Sequence, residues 1–88
     1  MVRALGMVET KGLATSIEVA DAMLKNSHVS LVNQANVGGS LVTIFIEGNV
    51  SAVQNAVETG KAVAQQTGAL LGCDVIPHPD ASIKRLFR

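Results

Sequence analysis

Aromatic and cysteine side chains are almost missing from this chain. Phe45 and Phe87 are the only aromatic residues, since the sequence has no Trp or Tyr. Base stacking and RNA-binding sheets depend on aromatic rings, so we expect no nucleic acid partner. Cys73, the single cysteine, has no neighbouring basic residue and is interpreted as a small buried hydrophobic residue. One cysteine excludes an internal disulfide and is typical of an intracellular protein.

Net charge and long apolar runs are missing as well. Seven Lys and Arg residues balance seven Asp and Glu residues, so the net charge does not attract nucleic acid or an anionic membrane. No apolar run approaches the roughly 18 residues of a membrane span, and the N-terminus has no apolar signal segment. We therefore expect a cytoplasmic protein with no membrane partner.

Aliphatic residues, in contrast, are abundant for so short a chain. Hydrophobic residues make up 48% of the 88 positions, and we predict a single domain over residues 1–88. A domain of this length buries only about 60 to 65% of its unfolded surface. Oligomerisation compensates for a core this thin, so we expect the chain to form oligomers.

The predicted elements are arranged about a glycine pair, Gly38-Gly39. Adjacent residues that tolerate positive φ match the twist of a β-hairpin. In chain order we predict a strand over 4–9, a helix over 13–25, strands over 28–34 and 41–47, a helix from Val50 through Ala64 to a stop at Gly68, and a strand over 70–76. The order β-α-β-β-α-β predicts an α+β domain of the ferredoxin-like, split βαβ type. The tail 81–88 is predicted to form a short amphipathic helix.

Within these elements, spacing and residue size predict some contacts. The first helix is predicted from four apolar residues at helical spacing, which are Leu13, Ile17, Ala20 and Leu24. Asp21 and Lys25, four residues apart on its exposed side, are predicted to form a solvated ion pair. Gly6 lets another element pack close to the first strand. The second helix is lined with Ala, Gly and Val and can therefore lie very close to the sheet.

Candidate catalytic and metal-binding residues are few and scattered. His28 and His78 lie in different elements and, with one cysteine, give no recognisable metal-ligand spacing. Glu9 and Glu47 are candidates for a carboxylate pair at strand ends, but no acid, base or nucleophile accompanies them. Solvation of the strand ends is the favoured interpretation. We predict no enzymatic activity, no catalytic residue, no metal and no cofactor.

Four segments resemble the bacterial microcompartment shell-protein family, in its single-domain, hexamer-forming branch with one BMC domain. They are residues 4–13, 18–25, 38–43 and 75–79. Such proteins form hexagonal tiles that pack edge to edge into the facets of carboxysomes and of propanediol- or ethanolamine-type compartments. The resemblance implies a structural shell protein that self-assembles into homohexamers, located in a microcompartment shell, with a central pore for small metabolites.

The resemblance places three residues at the hexamer edge. Lys25 is implied to pack its alkyl stem against a neighbouring hexamer and to donate from its ammonium to backbone carbonyls there. His28 and His78 stand at edge positions that commonly hold Asn and Arg in the family. Loss of a permanent cation at His78 is expected to weaken the edge or to make it pH-sensitive.

The pore lining implied by the resemblance is Val37, Gly38, Gly39 and Ser40, with six copies converging on the axis. Ser40 stands where glycine is typical, and we expect a strained backbone there. Asn36 replaces a position often taken by lysine. We therefore expect the pore surroundings to attract anionic metabolites less strongly than those of relatives.

The implied partners are further copies of the chain, other shell proteins and encapsulation peptides of cargo enzymes. An amphipathic helix from such an enzyme fits the apolar residues of the tail, Ile83, Leu86 and Phe87. Packing of these residues on their own subunit is the favoured interpretation, and the tail 81–88 is predicted to be dispensable for the hexamer.

Other functions fit the same predicted fold. A regulatory module that binds a small effector between subunits needs a polar pocket with convergent side chains. An acylphosphatase-like enzyme needs a glycine-rich anion loop after Arg3, which this sequence lacks. An RNA-binding sheet needs aromatic residues on its central strands.

Overall fold

The fold is a four-stranded antiparallel sheet with two α-helices and a short C-terminal helix. The computed structural model describes residues 3–36 and 38–87, apart from the Lys84 side chain. The elements are β1 (Ala4–Lys11), α1 (Leu13–Asn26), β2 (Ser30–Asn36), β3 (Leu41–Gly48), α2 (Val50–Gln66), β4 (Leu70–Ile76) and a C-terminal 3-10 helix (Ala81–Phe87). The strand order is β2-β3-β1-β4, and each neighbouring pair is antiparallel. The predicted ferredoxin-like, split βαβ fold is confirmed.

Two strands differ from their predicted bounds by two residues. β1 continues past Glu9 to Lys11, because Thr10 pairs with Val42 and donates from Oγ1 to the Val42 carbonyl at 3.3 Å. Thr10 is fully buried, so this bond satisfies a hydroxyl that would otherwise be stranded in the core. β2 begins and ends two residues later than predicted, at Ser30 and Asn36.

One face of the sheet holds the core. Val42, Ile44 and Ile46 of β3 are buried on this face, and both helices pack against them. Asn49 begins α2 by accepting a hydrogen bond at Oδ1 from the Ala52 N–H at 2.8 Å. Gly68 ends it with φ at 71°.

Gly6 of β1 lies directly beneath α2. A Cβ atom at this position would be 2.7 Å from Val53 Cγ1 and 2.8 Å from Val57 Cγ2. Helix α2 is equally close to α1, because a Cβ at Gly60 would be 2.9 Å from Met23 Sδ. The predicted close packing of the second helix on the sheet is confirmed.

Gly6→Ala is expected to lower the free energy of unfolding by about 2–3 kcal/mol, since the added methyl overpacks a core that cannot move aside. Gly72→Ala on β4 is the matched control, because its nearest heavy atom is Glu9 Oε1 at 3.8 Å. That change should alter stability by less than about 0.5 kcal/mol. Urea unfolding of both variants at one protein concentration measures the difference, and equal midpoints would contradict this packing.

The side of helix α1 that is buried is not the side that carries most of the apolar residues from which the helix was predicted. Its buried residues are Ser16, Val19 and Met23. Leu13, Ile17 and Leu24, which we call the α1 stripe, are 52%, 57% and 39% exposed. Ser16 tolerates burial because its hydroxyl donates to the Leu13 carbonyl at 2.6 Å and accepts from Gln34 Nε2 at 3.3 Å. The single subunit therefore leaves the α1 stripe uncovered.

Candidate functional site

The glycine pair joins β2 to β3, as predicted. Gly38 and Gly39 have φ values of 91° and 60°, the consecutive left-handed residues that a tight hairpin favours. A Cβ at either position would meet no heavy atom within 4 Å. Backbone conformation, not crowding inside the subunit, therefore accounts for glycine here. Val37, the remaining member of this predicted lining, lies outside the described residues.

Two hydrogen bonds hold the hairpin loop in place. Gly38 N–H donates to Asn36 Oδ1 at 3.2 Å, and Gly12 N–H donates to the Ser40 carbonyl at 2.5 Å. Gly12 immediately precedes α1, so the loop is held beside the start of that helix. Neither anchor was predicted from the sequence. The Asn-x-Gly spacing of residues 36–38 is a signal that could have revealed the first, because an asparagine side chain readily bonds the backbone two residues on.

The strain expected at Ser40 is absent. Positive φ occurs only at glycines in the described part of the chain, so Ser40 has a backbone conformation open to any residue. The prediction was wrong because Gly38 and Gly39 absorb the left-handed conformation of the turn before the chain reaches Ser40.

Lys25 lies in the last turn of α1 and points to solvent. Its Nζ is 3.0 Å from Asp21 Oδ2, and the two side chains are 72% and 58% exposed. The predicted ion pair is therefore confirmed, and a pair this exposed contributes only about 0.3–0.5 kcal/mol. An ammonium has three donors. One contact to Asp21 leaves Lys25 able to bind acceptors on another molecule.

His28 lies in the connection between α1 and β2, beside a polar groove. The groove has a volume of about 280 Å³ and lies between the end of α1 and the start of α2. Its lining residues are Asn26, Ser27, His28, Asn49, Ser51, Ala52 and Asn55. Glycine at position 48 lets the backbone at His28 pass close to β3, because a Cβ at Gly48 would lie 3.0 Å from the His28 carbonyl oxygen.

The sheet register separates the two groups of predicted site residues. Ser30, Glu47, Leu5 and Ile76 form one row across the four strands, and His28 and His78 flank its two outer ends in sequence. Lys25 lies at the same end, because α1 begins beside the hairpin and runs away from it. The hairpin lies at the other end of β2 and β3, about 20 Å away for strands of this length.

The suggested pair of Glu9 and Glu47 does not form. The antiparallel register places Glu47 opposite Leu5 and Glu9 opposite Thr43, so the two carboxylates are four positions apart along the strands. Glu47 Oε1 instead lies 3.7 Å from Arg3 Nη1.

Cys73 packs partly buried against the core, as interpreted from the sequence.

Metal ligands and membrane spans can be judged only for residues 3–36 and 38–87. Within these ranges no three His, Cys, Asp or Glu side chains come together as a metal site would require. No helix there is long and apolar enough to cross a membrane.

The C-terminal 3-10 helix packs on the sheet face opposite α1 and α2. The rings of Phe45 and Phe87 have centroids 4.7 Å apart and are tilted by 53°. They border an apolar groove of about 270 Å³. The groove is lined by Leu5, Met7, Asn33, Ala35, Phe45, Ile76, Ile83, Leu86 and Phe87. Phe87 therefore packs on its own subunit, as the favoured interpretation predicted, whereas Leu86 is 73% exposed.

Asp80 precedes this helix and orients its first turn. Its Oδ1 accepts hydrogen bonds from the Ser82 hydroxyl at 2.7 Å and from the Ser82 N–H at 2.9 Å. These bonds, the side-chain one foremost, hold the pKa of Asp80 below its ordinary value. A lowered pKa means that this anchor is present at neutral pH and is lost only as acid protonates the carboxylate.

Comparison with known proteins identifies the family. The BMC domain model matches residues 4–79. The chain is 45% identical to the bacterial microcompartment shell protein PduA of Citrobacter freundii over 84 residues, which are 96% of this chain and 90% of that one. The shell protein EutM of Salmonella typhimurium is 43% identical, with 96% and 88% covered. The carboxysome shell protein CsoS1A of Hydrogenovibrio crunogenus is 40% identical, with 92% and 85% covered.

A solved structure agrees with these relatives. The crystal structure of a microcompartment protein from Desulfitobacterium hafniense superimposes on 100% of this chain with a TM-score of 0.85 and 30% identity, and this chain spans 49% of that one. The family model, the relatives and this structure point the same way. The chain is a member of the BMC-domain family of bacterial microcompartment shell proteins.

Proposed function

We propose that six copies of this chain form a hexagonal tile, that tiles pack edge to edge in a microcompartment shell, and that the hairpin loops line a central pore for small metabolites. The observation that supports this most directly is the separation of the two predicted sites. The hairpin lies at one end of the sheet, and Lys25, His28 and His78 lie at the other. In a closed ring whose subunits are arranged radially, one end of each domain lies at the axis and the opposite end lies at the perimeter.

Uncovered aliphatic side chains support assembly. The α1 stripe is exposed on the single subunit, and so are Leu31 and Leu71 on the two outer strands. Permanent subunit interfaces are more apolar than transient ones and bury about 2,000 Å² or more. A thin core and exposed leucines on three elements fit a chain that completes its apolar packing against neighbouring copies.

The proposed pore is narrow and lined mainly by backbone. Gly38 and Gly39 present N–H and C=O dipoles, and Ser40 adds a hydroxyl. Such dipoles replace the water contacts of a small neutral or weakly polar solute, whereas a bulky cofactor does not fit between six converging backbones. The protein acts as a structural wall component rather than as an enzyme.

Partners follow from the same proposal. Copies of this chain and other shell proteins meet at the hexamer edge. The apolar groove beside Phe45 and Phe87 is the surface on which an encapsulation peptide of a cargo enzyme would dock.

Light scattering and electron microscopy of the purified protein test the assembly. We expect a particle six times the 9.1 kDa of one chain, and sheets or tubes with hexagonal order at higher concentration. A monodisperse monomer at micromolar concentration contradicts the proposal. An oligomer other than a hexamer that binds a small effector would instead indicate a regulatory module with the same fold.

A further inference from the structure

We infer that Asn36 sets the solute preference of the proposed pore, by presenting amide N–H donors that favour carboxylates and carbonyl compounds over solutes bearing an ammonium group. This inference rests on the proposed function, because it requires that the hairpin lies at the axis of a hexamer. It concerns a side chain next to the glycine pair and not the glycines themselves.

The orientation of the Asn36 side chain follows from its hydrogen bond. A carboxamide has one acceptor oxygen and an NH₂ group with two donors. In Asn36 the oxygen accepts from Gly38 N–H at 3.2 Å. The Nδ2 group has no hydrogen-bond partner in the described part of the chain, and the residue is exposed. The end of the side chain that is free to meet a solute is therefore the donor end.

The charge around Asn36 does not oppose this role. From the sheet row of Asn36 to the hairpin, the described residues are 10–14, 36, 38–42 and 66–70. The only charged residue among them is Lys11, and Glu9 lies one row further from the hairpin. No carboxylate is present in these segments to occupy the Nδ2 donors or to attract cations. The local field therefore has the sign that favours a solute with an acceptor oxygen.

Sixfold repetition makes the effect selective. The backbone of Gly38 and Gly39 offers donors and acceptors alike, so it does not discriminate by itself between a carboxylate and an ammonium. Six copies of Asn36 add two free donors each around the opening, while each amide oxygen already accepts one hydrogen bond from Gly38 N–H. A solute that arrives with an oxygen replaces lost water contacts at these donors, whereas an ammonium group meets only amide oxygens that already accept a hydrogen bond.

Two substitutions of Asn36 separate the donors from the loop anchor. Asn36→Asp keeps an oxygen for Gly38 N–H and replaces the NH₂ group with negative charge. Asn36→Ser keeps a short oxygen near the same N–H but removes the projecting donors. Gln54→Glu is the control, because it adds the same charge at an exposed position of α2.

The measurement is flux of propionate, 1-propanol and propylammonium, three probes of similar size, across assembled layers of each variant. Wild type should pass propionate faster than propylammonium. Asn36→Ser should bring the two rates close together, and Asn36→Asp should reverse their order, a change of about tenfold or more in the ratio. Gln54→Glu should leave the wild-type ratio.

Failure of this inference is distinguishable from failure of the pore. If Gly39→Leu blocks all three probes but neither Asn36 variant changes the propionate to propylammonium ratio, the pore stands and the role of Asn36 is overturned. A wild-type ratio of one or less overturns it as well. If Gly39→Leu layers pass every probe at the wild-type rate, the proposed pore itself is wrong. Should Asn36→Asp not assemble, the neutral Asn36→Ser variant decides the question.

Discussion

Lys25→Glu is expected to leave the hexamer intact and to abolish ordered layers. A carboxylate cannot donate to the backbone carbonyls of a neighbouring tile, and at a twofold edge each substitution acts twice. The change also places a second negative charge four residues from Asp21. Such a like-charge pair destabilises a helix by only about 0.2–0.5 kcal/mol. The subunit should therefore remain folded. Light scattering checks the hexamer, and electron microscopy checks the layers.

Asp21→Asn is the matched control for this prediction. It removes the same 3.0 Å ion pair but keeps the Lys25 ammonium, so layers should form normally. His78→Arg, which adds a permanent cation at the same edge, should strengthen them. If Lys25→Glu forms ordinary layers in the buffer that supports wild-type layers, Lys25 is only the partner of Asp21 and the edge lies elsewhere.

Gly39→Leu is expected to stop the flux of small metabolites while hexamers and layers still form. The subunit has room for the added side chain, since a Cβ would meet nothing within 4 Å, and six leucines would fill the opening. The φ of 60° at Gly39 makes any such residue strained, by about 1–2 kcal/mol. Flux across assembled layers of wild type and variant is the measurement.

Gly68→Leu controls for that strain. Gly68 has a φ of 71° and the same open surroundings, but it ends α2 and is not in the hairpin, so its substitution should lower stability similarly and leave flux unchanged. Gly39→Asp should make the hexamer unstable unless cations bind, because six carboxylates repel at close range. Equal flux through wild type and Gly39→Leu would mean that the glycine pair is only a turn.

The order and type of the elements were predictable because the signals for them are local. Gly38-Gly39 marks the hairpin, Asn49 begins α2 and Gly68 ends it, and each needs only its immediate neighbours to act. β1 pairs with both β3 and β4, and its apolar residues on both faces are typical of a central strand.

Contacts between distant segments were not predictable in the same way. The spacing of Leu13 and Ile17 indicates an apolar side of α1 but not what covers it, and the core takes Ser16 instead because Gln34 of β2 reaches its hydroxyl. Glu9 and Glu47 were candidates for a pair only because the sequence does not specify the register of β1 against β3. One register fixes all such pairs at once.

The candidate site shows the same division. Resemblance to a known family singled out the residues predicted for the pore and for the edge, but the opposite ends of the sheet that they occupy depend on the sheet register. The bond between Asn36 and Gly38, which determines which end of that amide is free, appears only in the coordinates.

In the proposed assembly, the α1 stripe has a consequence for the stability of a chain that has not yet been covered by its neighbours. Any surface that is covered only in the assembly makes stability a matter of mass action, because neighbours bind the folded chain and not the unfolded one. The unfolding midpoint should therefore rise with protein concentration. A newly synthesised chain that has met no neighbours is in its least stable form, with three aliphatic side chains of one helix in water. Copies in excess of the available positions in the assembly are then the most susceptible to degradation. The amount of this chain in a cell is thereby linked to the number of positions that it can occupy.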